Sequence, residues 1–239
     1  MTPSVNNLEI KLFADGADLQ GMLEMSAKPT IQGLTTNPTL MRKAGITDYK
    51  SFAKSVLKAI TEKPISFEIF SDELEDMKRQ GIEIANWGEN VYVKIPITTT
   101  LGDPTISVVD FLVNRGVKVN VTALMTVNQV KDVAGALNPS IPSYVSVFAG
   151  RIADTGRNPI PIMEEALVIL SSNHQSELIW ASPRELLNVF QANEIGCHII
   201  TATNDILKKL DLVGYDLTSY SLDTVKMFRN DAVEAGFSI

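Results

Sequence analysis

Lys94 stands in the run Val91-Tyr92-Val93-Lys94-Ile95-Pro96, whose apolar flanks demand a buried strand. An ammonium in such a place is costly to desolvate. Burial favours a lysine's neutral amine, and a neutral amine adds to a ketone to form a Schiff base. The alternative is a structural lysine paired with a buried carboxylate such as Glu68, and the residue alone does not separate the two. Glu68 alternates with Ser66 and Phe70, so these three should share one strand face, opposite Phe67 and Ile69. Asp15, followed by Gly16-Ala17-Asp18, reads either as a carboxylate at a strand end or as a helix N-cap. Asn120 and Thr122 share a face, as do Ser146 and Phe148. Such polar groups either meet a ligand or satisfy one another. Arg151 and Arg184 offer guanidinium forks to an anion and suit surface ion pairs equally well. His198 opens a strand at the end away from these groups and reads as structural.

The elements that must position these side chains alternate along the chain. Short apolar runs lie at Leu8–Ala14, Thr30–Leu34, Pro64–Phe70, Asn90–Ile95, Val117–Ala123, Ser143–Ala149, Leu178–Ala181 and His198–Thr201. Their unbroken hydrophobicity is that of strands covered on both faces, as in a parallel sheet. Amphipathic stretches between them predict helices at Asp48–Thr61, Asp72–Trp87 with Ser71 as N-cap, Thr126–Leu137, Pro161–Leu170 and Pro183–Ala192. A short eighth helix is expected over Asp205–Leu210, and a further C-terminal helix over Thr218–Ala235. The alternation predicts one domain over residues 1–239, a (β/α)₈ TIM barrel with an additional C-terminal helix. A doubly wound open sheet is the rival, and its dinucleotide-binding form is disfavoured because no G-x-G-x-x-G follows the first run. Chemistry in such barrels gathers where strands end. The runs end on Asp15, on Thr35-Thr36-Asn37, on Ser182 and Arg184, and on Thr201 and Thr203, with Glu68, Lys94, Asn120, Thr122, Ser146 and Arg151 between.

Composition excludes other classes. The 239 residues carry 21 Lys and Arg against 28 Asp and Glu, a net charge of −7, which argues against nucleic-acid binding by phosphate neutralisation. A small anion site needs only one or two local cations. Cys197 is the single cysteine, and His174 and His198 are the two histidines, so neither a disulfide nor a His/Cys metal centre is expected. No apolar run reaches the length of a membrane span. The polar Asn6, Asn7 and Glu9 within Met1–Lys11 predict no secretory leader, and cytoplasmic residence is the simplest expectation.

Several segments together resemble the transaldolase family of class I aldolases: Phe13-Ala14-Asp15, Gly33-Leu34-Thr35-Thr36-Asn37-Pro38, Val91-Tyr92-Val93-Lys94-Ile95-Pro96, Val119-Asn120-Val121-Thr122 and Val145-Ser146-Val147-Phe148-Ala149-Gly150-Arg151-Ile152. The length is similar to that of the compact branch that also contains fructose-6-phosphate aldolases. The resemblance implies that Lys94 is the Schiff-base lysine and Asp15 the base for the C4 hydroxyl. Glu68 and Thr122 would hold the proton-shuttling water. Asn37, Asn120 and Ser146 would bind hydroxyls of the dihydroxyacetone portion, and Arg151 with Ser182 and Arg184 the substrate phosphate. The aldolase branch typically has Gln at the Glu68 position and Tyr at the Phe148 position, so this chain follows the transferase pattern at both. Val147 replaces the family's usual Pro, and Trp180-Ala181-Ser182-Pro183-Arg184 is shorter than the usual stretch. The implied activity is transfer of a dihydroxyacetone unit between sugar phosphates without metal or organic cofactor, in a homo-oligomer. Release of free dihydroxyacetone, an unusual anionic sugar, and a non-catalytic sugar-phosphate-binding protein are the alternatives.

Overall fold

The computed structural model describes residues 4–239. The first three residues of the Met1–Lys11 segment lie outside the described residues. Eight parallel strands close into a barrel in sequential order. They are β1 (Lys11–Asp15), β2 (Ile31–Thr35), β3 (Ile65–Glu68), β4 (Val91–Pro96), β5 (Val119–Leu124), β6 (Ser143–Val147), β7 (Ser176–Trp180) and β8 (Ile199–Thr203). The helices are α1 (Leu19–Ser26), α2 (Pro38–Lys43), α3 (Tyr49–Ala59), α4 (Leu74–Ala85), α5 (Ile106–Val113), α6 (Val127–Ala136), α7 (Ala149–Asp154), α8 (Ile160–Leu170), α9 (Leu187–Glu194), α10 (Asn204–Leu207) and α11 (Leu217–Glu234). The expected barrel is therefore the observed one, in place of an open sheet.

Alternation along each strand sorts two cores. Leu34, Phe67, Val93, Val121, Val145, Leu178 and Ile200 belong to the layer between strands and helices. Phe13, Tyr92, Tyr144, Ile179 and Ile199 pack together as a second cluster inside the barrel. The Tyr92 and Tyr144 rings stack with centroids 4.0 Å apart, and Phe13 meets Tyr144 edge-on at 5.7 Å. Phe13 fits because its register neighbour on β2 is Gly33; a Cβ there would fall on the Phe13 ring.

Several expectations need correction. Ser71 does not cap α4; the N-cap is Glu73, which makes no side-chain cap bond, and Ser71 Oγ accepts instead from the Glu73 N–H at 3.2 Å. Asp15 is not a helix cap, because Asp18 takes that role by accepting from Gly21 N–H. β3 ends at Glu68, so Phe70 leaves the Ser66/Glu68 face and packs at a tilt against Tyr49, half exposed. The Pro183–Ala192 helix starts only at Leu187, after a backbone turn at Ser182 with φ of 60°. The region after β8 is a four-residue helix followed by a 3-10 turn over Lys208–Leu212. α1, signalled only by the cap reading of Asp15, and α2, α5 and α7 have no counterpart among the amphipathic stretches. α2 and α7 are six residues each. α5 reads Ile-Ser-Val-Val-Asp-Phe-Leu-Val, six apolar residues of eight, so only Ser107 and Asp110 mark its exposed side.

Gly33→Ala is expected to cost roughly 1–3 kcal/mol, the usual penalty for overfilling a packed interior. Denaturant unfolding of parent and variant measures it.

Candidate active site at the strand ends

A cavity of about 640 Å³ opens at the carboxyl ends of the strands. Asp15, Asn37, Glu68, Lys94, Thr122, Ser146, Phe148, Arg151, Ser182 and Arg184 all line it. Asn120 and Thr36, also singled out by sequence, do not line it and are fully buried; Asn120 lies beneath it. The Asn120 amide donates to Ser66 Oγ at 2.9 Å and accepts from Ser146 Oγ at 2.7 Å. The Ser146 proton is thereby committed, and its oxygen faces the cavity as an acceptor.

The charged centre follows from strand register. Glu68 and Lys94 are paired positions on β3 and β4, and Asn120 is the position beside Lys94 on β5. Lys94 is 6% exposed. Its Nζ donates to the Thr36 carbonyl at 2.9 Å and lies 3.4 Å from Glu68 Oε2. The carboxylate partner expected for a structural lysine is thus present, and the lysine also faces the cavity.

Asp15 is held on both carboxylate oxygens. Thr35 Oγ1 donates to Oδ1 at 2.8 Å, and Asn37 Nδ2 donates to Oδ2 at 3.0 Å. Asn37 is also the N-cap of α2, its Oδ1 accepting from Leu40 N–H at 2.9 Å. That bond fixes which end of the amide meets Asp15. Burial pushes the Asp15 carboxyl above its ordinary 3.8, against the pull of Lys94, Thr35 and Asn37. Burial likewise raises Glu68 above 4.5, with Lys94 opposing and Asp15 adding to the rise. Thr122 Oγ1 is buried without a hydrogen-bond partner among the described residues.

The far wall is cationic. Arg184 forms a two-pronged pair with Asp154 through its Nε at 2.9 Å and through Nη2. Arg151 lies 5.8 Å from the centroid of the Phe148 ring. The start of α7 touches the segment after β7 at Gly150, where a Cβ would collide with the Ser182 carbonyl. Ala123 and Ser182 adopt left-handed φ of 65° and 60° on the cavity wall. Such strain in non-glycine residues costs of order 1–3 kcal/mol each and clusters at working sites.

Lys43, Asp205 and Thr201 also line the cavity and received no role from the sequence. The signal for Thr201 was its spacing of two from Thr203 on an inward face. His198 lies at the opposite end, its Nδ1 accepting from Leu178 N–H at 3.0 Å, as its structural reading requires. It lines a smaller cavity of about 370 Å³ with Lys11, His174 and Glu177. Among the described residues no group of three or more His, Cys, Asp or Glu is placed to hold a metal ion. No helix there is long and apolar enough to cross a membrane.

Folding disfavours the Asp15 anion, so the sign of its pH dependence is set. The penalty is absent below about 3.8, where the unfolded carboxyl is protonated too, and grows as pH rises toward the folded value. Asp15→Asn removes it, since an amide there can accept from Asn37 and donate to Thr35. The variant is expected to be more stable than the parent at pH 8 and to lose that advantage toward pH 4. Denaturant titrations at both pH values check this; an advantage independent of pH would refute it.

Comparison with known proteins gives the ancestry. The family profile described as Transaldolase/Fructose-6-phosphate aldolase matches residues 12–239. A probable transaldolase of a Thermoanaerobacter species is 33% identical over 231 residues, covering 96% of this chain and all of the relative. A probable transaldolase of Methanococcus maripaludis is 33% identical over 204 residues, 84% of this chain and 89% of the relative. Among solved structures, an HpcH/Hpal aldolase/citrate lyase family protein from Burkholderia cenocepacia superposes with a TM-score of 0.60 at 14% identity. The alignment covers 91% of this chain and 95% of that one, a likeness of fold. On sequence and barrel together, the chain belongs to the transaldolase/fructose-6-phosphate aldolase family.

Proposed function

We propose that this protein is a transaldolase that moves a dihydroxyacetone unit from a ketose phosphate to an aldose phosphate through a Schiff base on Lys94. The observation that carries the reading is the meeting of Lys94, Glu68 and Asp15 at the floor of one cavity, with arginines on its far wall. Lys94 Nζ attacks the C2 carbonyl of the ketose. Glu68, with the unpartnered Thr122 hydroxyl, holds the water that moves protons as the carbinolamine forms and loses water. Asp15 takes the C4 hydroxyl proton as the C3–C4 bond breaks, and the protonated imine accepts the electron pair as an enamine. The aldose leaves, a second aldehyde enters, and the steps reverse.

Asn37 and Ser146 orient hydroxyls of the retained three-carbon unit, with Asn120 supporting Ser146 from below. Arg151 and Ser182 bind the phosphate; Arg184, anchored on Asp154, shapes that end and adds charge. Phe148 gives the enamine no phenolic proton, which favours transfer over release. The donors proposed are fructose 6-phosphate and sedoheptulose 7-phosphate, the acceptors erythrose 4-phosphate and glyceraldehyde 3-phosphate, as in a cytoplasmic pentose phosphate pathway. We also propose that copies associate through α11, none of whose residues is buried although Leu217, Leu222, Val225, Met227 and Phe228 are apolar.

Borohydride reduction in fructose 6-phosphate is expected to leave a dihydroxyacetone-sized adduct on Lys94, read by peptide mass and absent from Lys94→Met. No adduct with any of the ketoses would leave the binding-protein reading. Rapid free dihydroxyacetone without an acceptor would favour the aldolase. Light scattering is expected to give a mass above one chain, reduced in Val225→Asp/Phe228→Asp; a monomeric parent would sink the association.

A further inference from the structure

The Asp15 carboxylate is the end of a hydrogen-bonded chain that begins on the far side of β1. Thr35 Oγ1 lies 2.8 Å from Asp15 Oδ1 and 2.6 Å from Thr201 Oγ1. A threonine hydroxyl has one proton. With Asp15 ionised, Thr35 spends that proton on the carboxylate, so the short contact with Thr201 exists only if Thr201 donates. The order is then Thr201 to Thr35 to Asp15, and each bond polarises the next. Thr201 is 7% exposed and lines the cavity, with its remaining lone pairs free to accept from a bound hydroxyl. Its backbone is fixed in the sheet opposite Phe13, within the ladder that pairs Asp15 with Thr203.

We propose that Thr201 is a positioning residue for Asp15: acting through Thr35, it holds that side chain in the ionised, proton-accepting form. The proposal rests on the reading of Asp15 as the proton acceptor in bond cleavage. When Asp15 takes a proton the chain can reverse, Asp15 donating to Thr35 and Thr35 to Thr201, without a proton leaving either threonine. Protonated and ionised states thus share one set of heavy-atom positions, so little reorganisation accompanies the transfer. Other groups act on Asp15 too. Lys94 from β4 favours its anion and Glu68 from β3 opposes it, while Asn37 donates to its second oxygen. Lys43 and Asp205 share the cavity wall. All of these stay in place when the Thr201 hydroxyl alone is removed.

The test compares Thr201→Val, which keeps the shape and loses the hydroxyl, with Thr201→Ser, which keeps the hydroxyl. The Asp15 titration is followed by carbon-13 NMR of protein labelled at its aspartate carboxyls, the signal assigned by its loss in Asp15→Asn. In Thr201→Val the midpoint is expected to rise by about half to one pH unit, the scale of one ordinary net hydrogen bond, since Thr201 reaches the carboxylate only through Thr35. Thr201→Ser is expected to restore it. The acidic limb of fructose 6-phosphate cleavage should move by the same amount while borohydride still traps the adduct on Lys94. In a Thr35→Val background, Thr201→Val should add no further shift. An unchanged midpoint in Thr201→Val would overturn the proposal, and so would shifts that simply add. Should Thr201→Val fail to fold, Thr201→Ala is read in the same way. Absence of trapping in the parent would sink the lysine chemistry instead, and the NMR titration would still judge Thr201.

Discussion

The rest of the site depends on one lysine amine set deep inside the barrel, open only to the cavity. Lys94 sits in the fourth strand, 6% exposed, with helices outside and an aromatic floor below. An uncompensated ammonium there would cost several kcal/mol. The barrel compensates it by register: closing eight parallel strands puts Glu68 beside Lys94, and the bend after β2 turns the Thr36 carbonyl toward its amine. Once that carboxylate is present, a second one nearby must be held by other means. Asp15 is so held, by Thr35 on one oxygen and Asn37 on the other. A lysine flanked by two carboxylates follows from placing one cation inside a closed sheet.

The strands were legible because parallel barrel strands are covered on both faces and read as unbroken apolar runs. All eight runs overlap their strands, most with ends within two residues; the last two overlap by only three residues each, since β7 opens on polar Ser176 and Glu177 and β8 runs on through polar Thr203. Helices were less legible for two physical reasons. α5 has only Ser107 and Asp110 as exposed polar residues among six apolar ones, which leaves little contrast to make its period visible. α2 and α7 are too short to carry a period, and both lie inside segments whose residues serve the cavity. Ser71 misled because a serine before a helical pattern suggests a cap, whereas its hydroxyl turns the chain two residues earlier.

Much of the site was readable from the rule that barrel chemistry gathers at strand ends, and its roles came from the family likeness. Burial depth was not readable. Asn120 and Thr122 share a face, yet one lies under the floor and the other on it, because Asn120 is two residues farther from the carboxyl end of β5, and where the floor falls along a strand is set by packing across the barrel. Nor was the Thr35–Thr201 contact, which joins residues 166 positions apart. The seam where Gly150 meets Ser182 is similar in kind: the glycine stood in a recognised segment, but its reason is a backbone 32 residues away.

The cations at the mouth have a kinetic consequence. The chain as a whole carries a charge of −7, while Lys43, Arg151 and Arg184 line the cavity beside Asp205. A small dianion approaching from bulk therefore meets weak repulsion at long range and attraction only near the opening. Screening at physiological ionic strength acts over about 8 Å and damps the far field more than the near one. Capture is a short-range event, and added salt relieves the repulsion while sparing much of the final pull. A long polyanion gains the same three side chains but stays exposed to the acidic field along its length. The same arithmetic of charge thus sorts ligands by size before any hydroxyl is recognised.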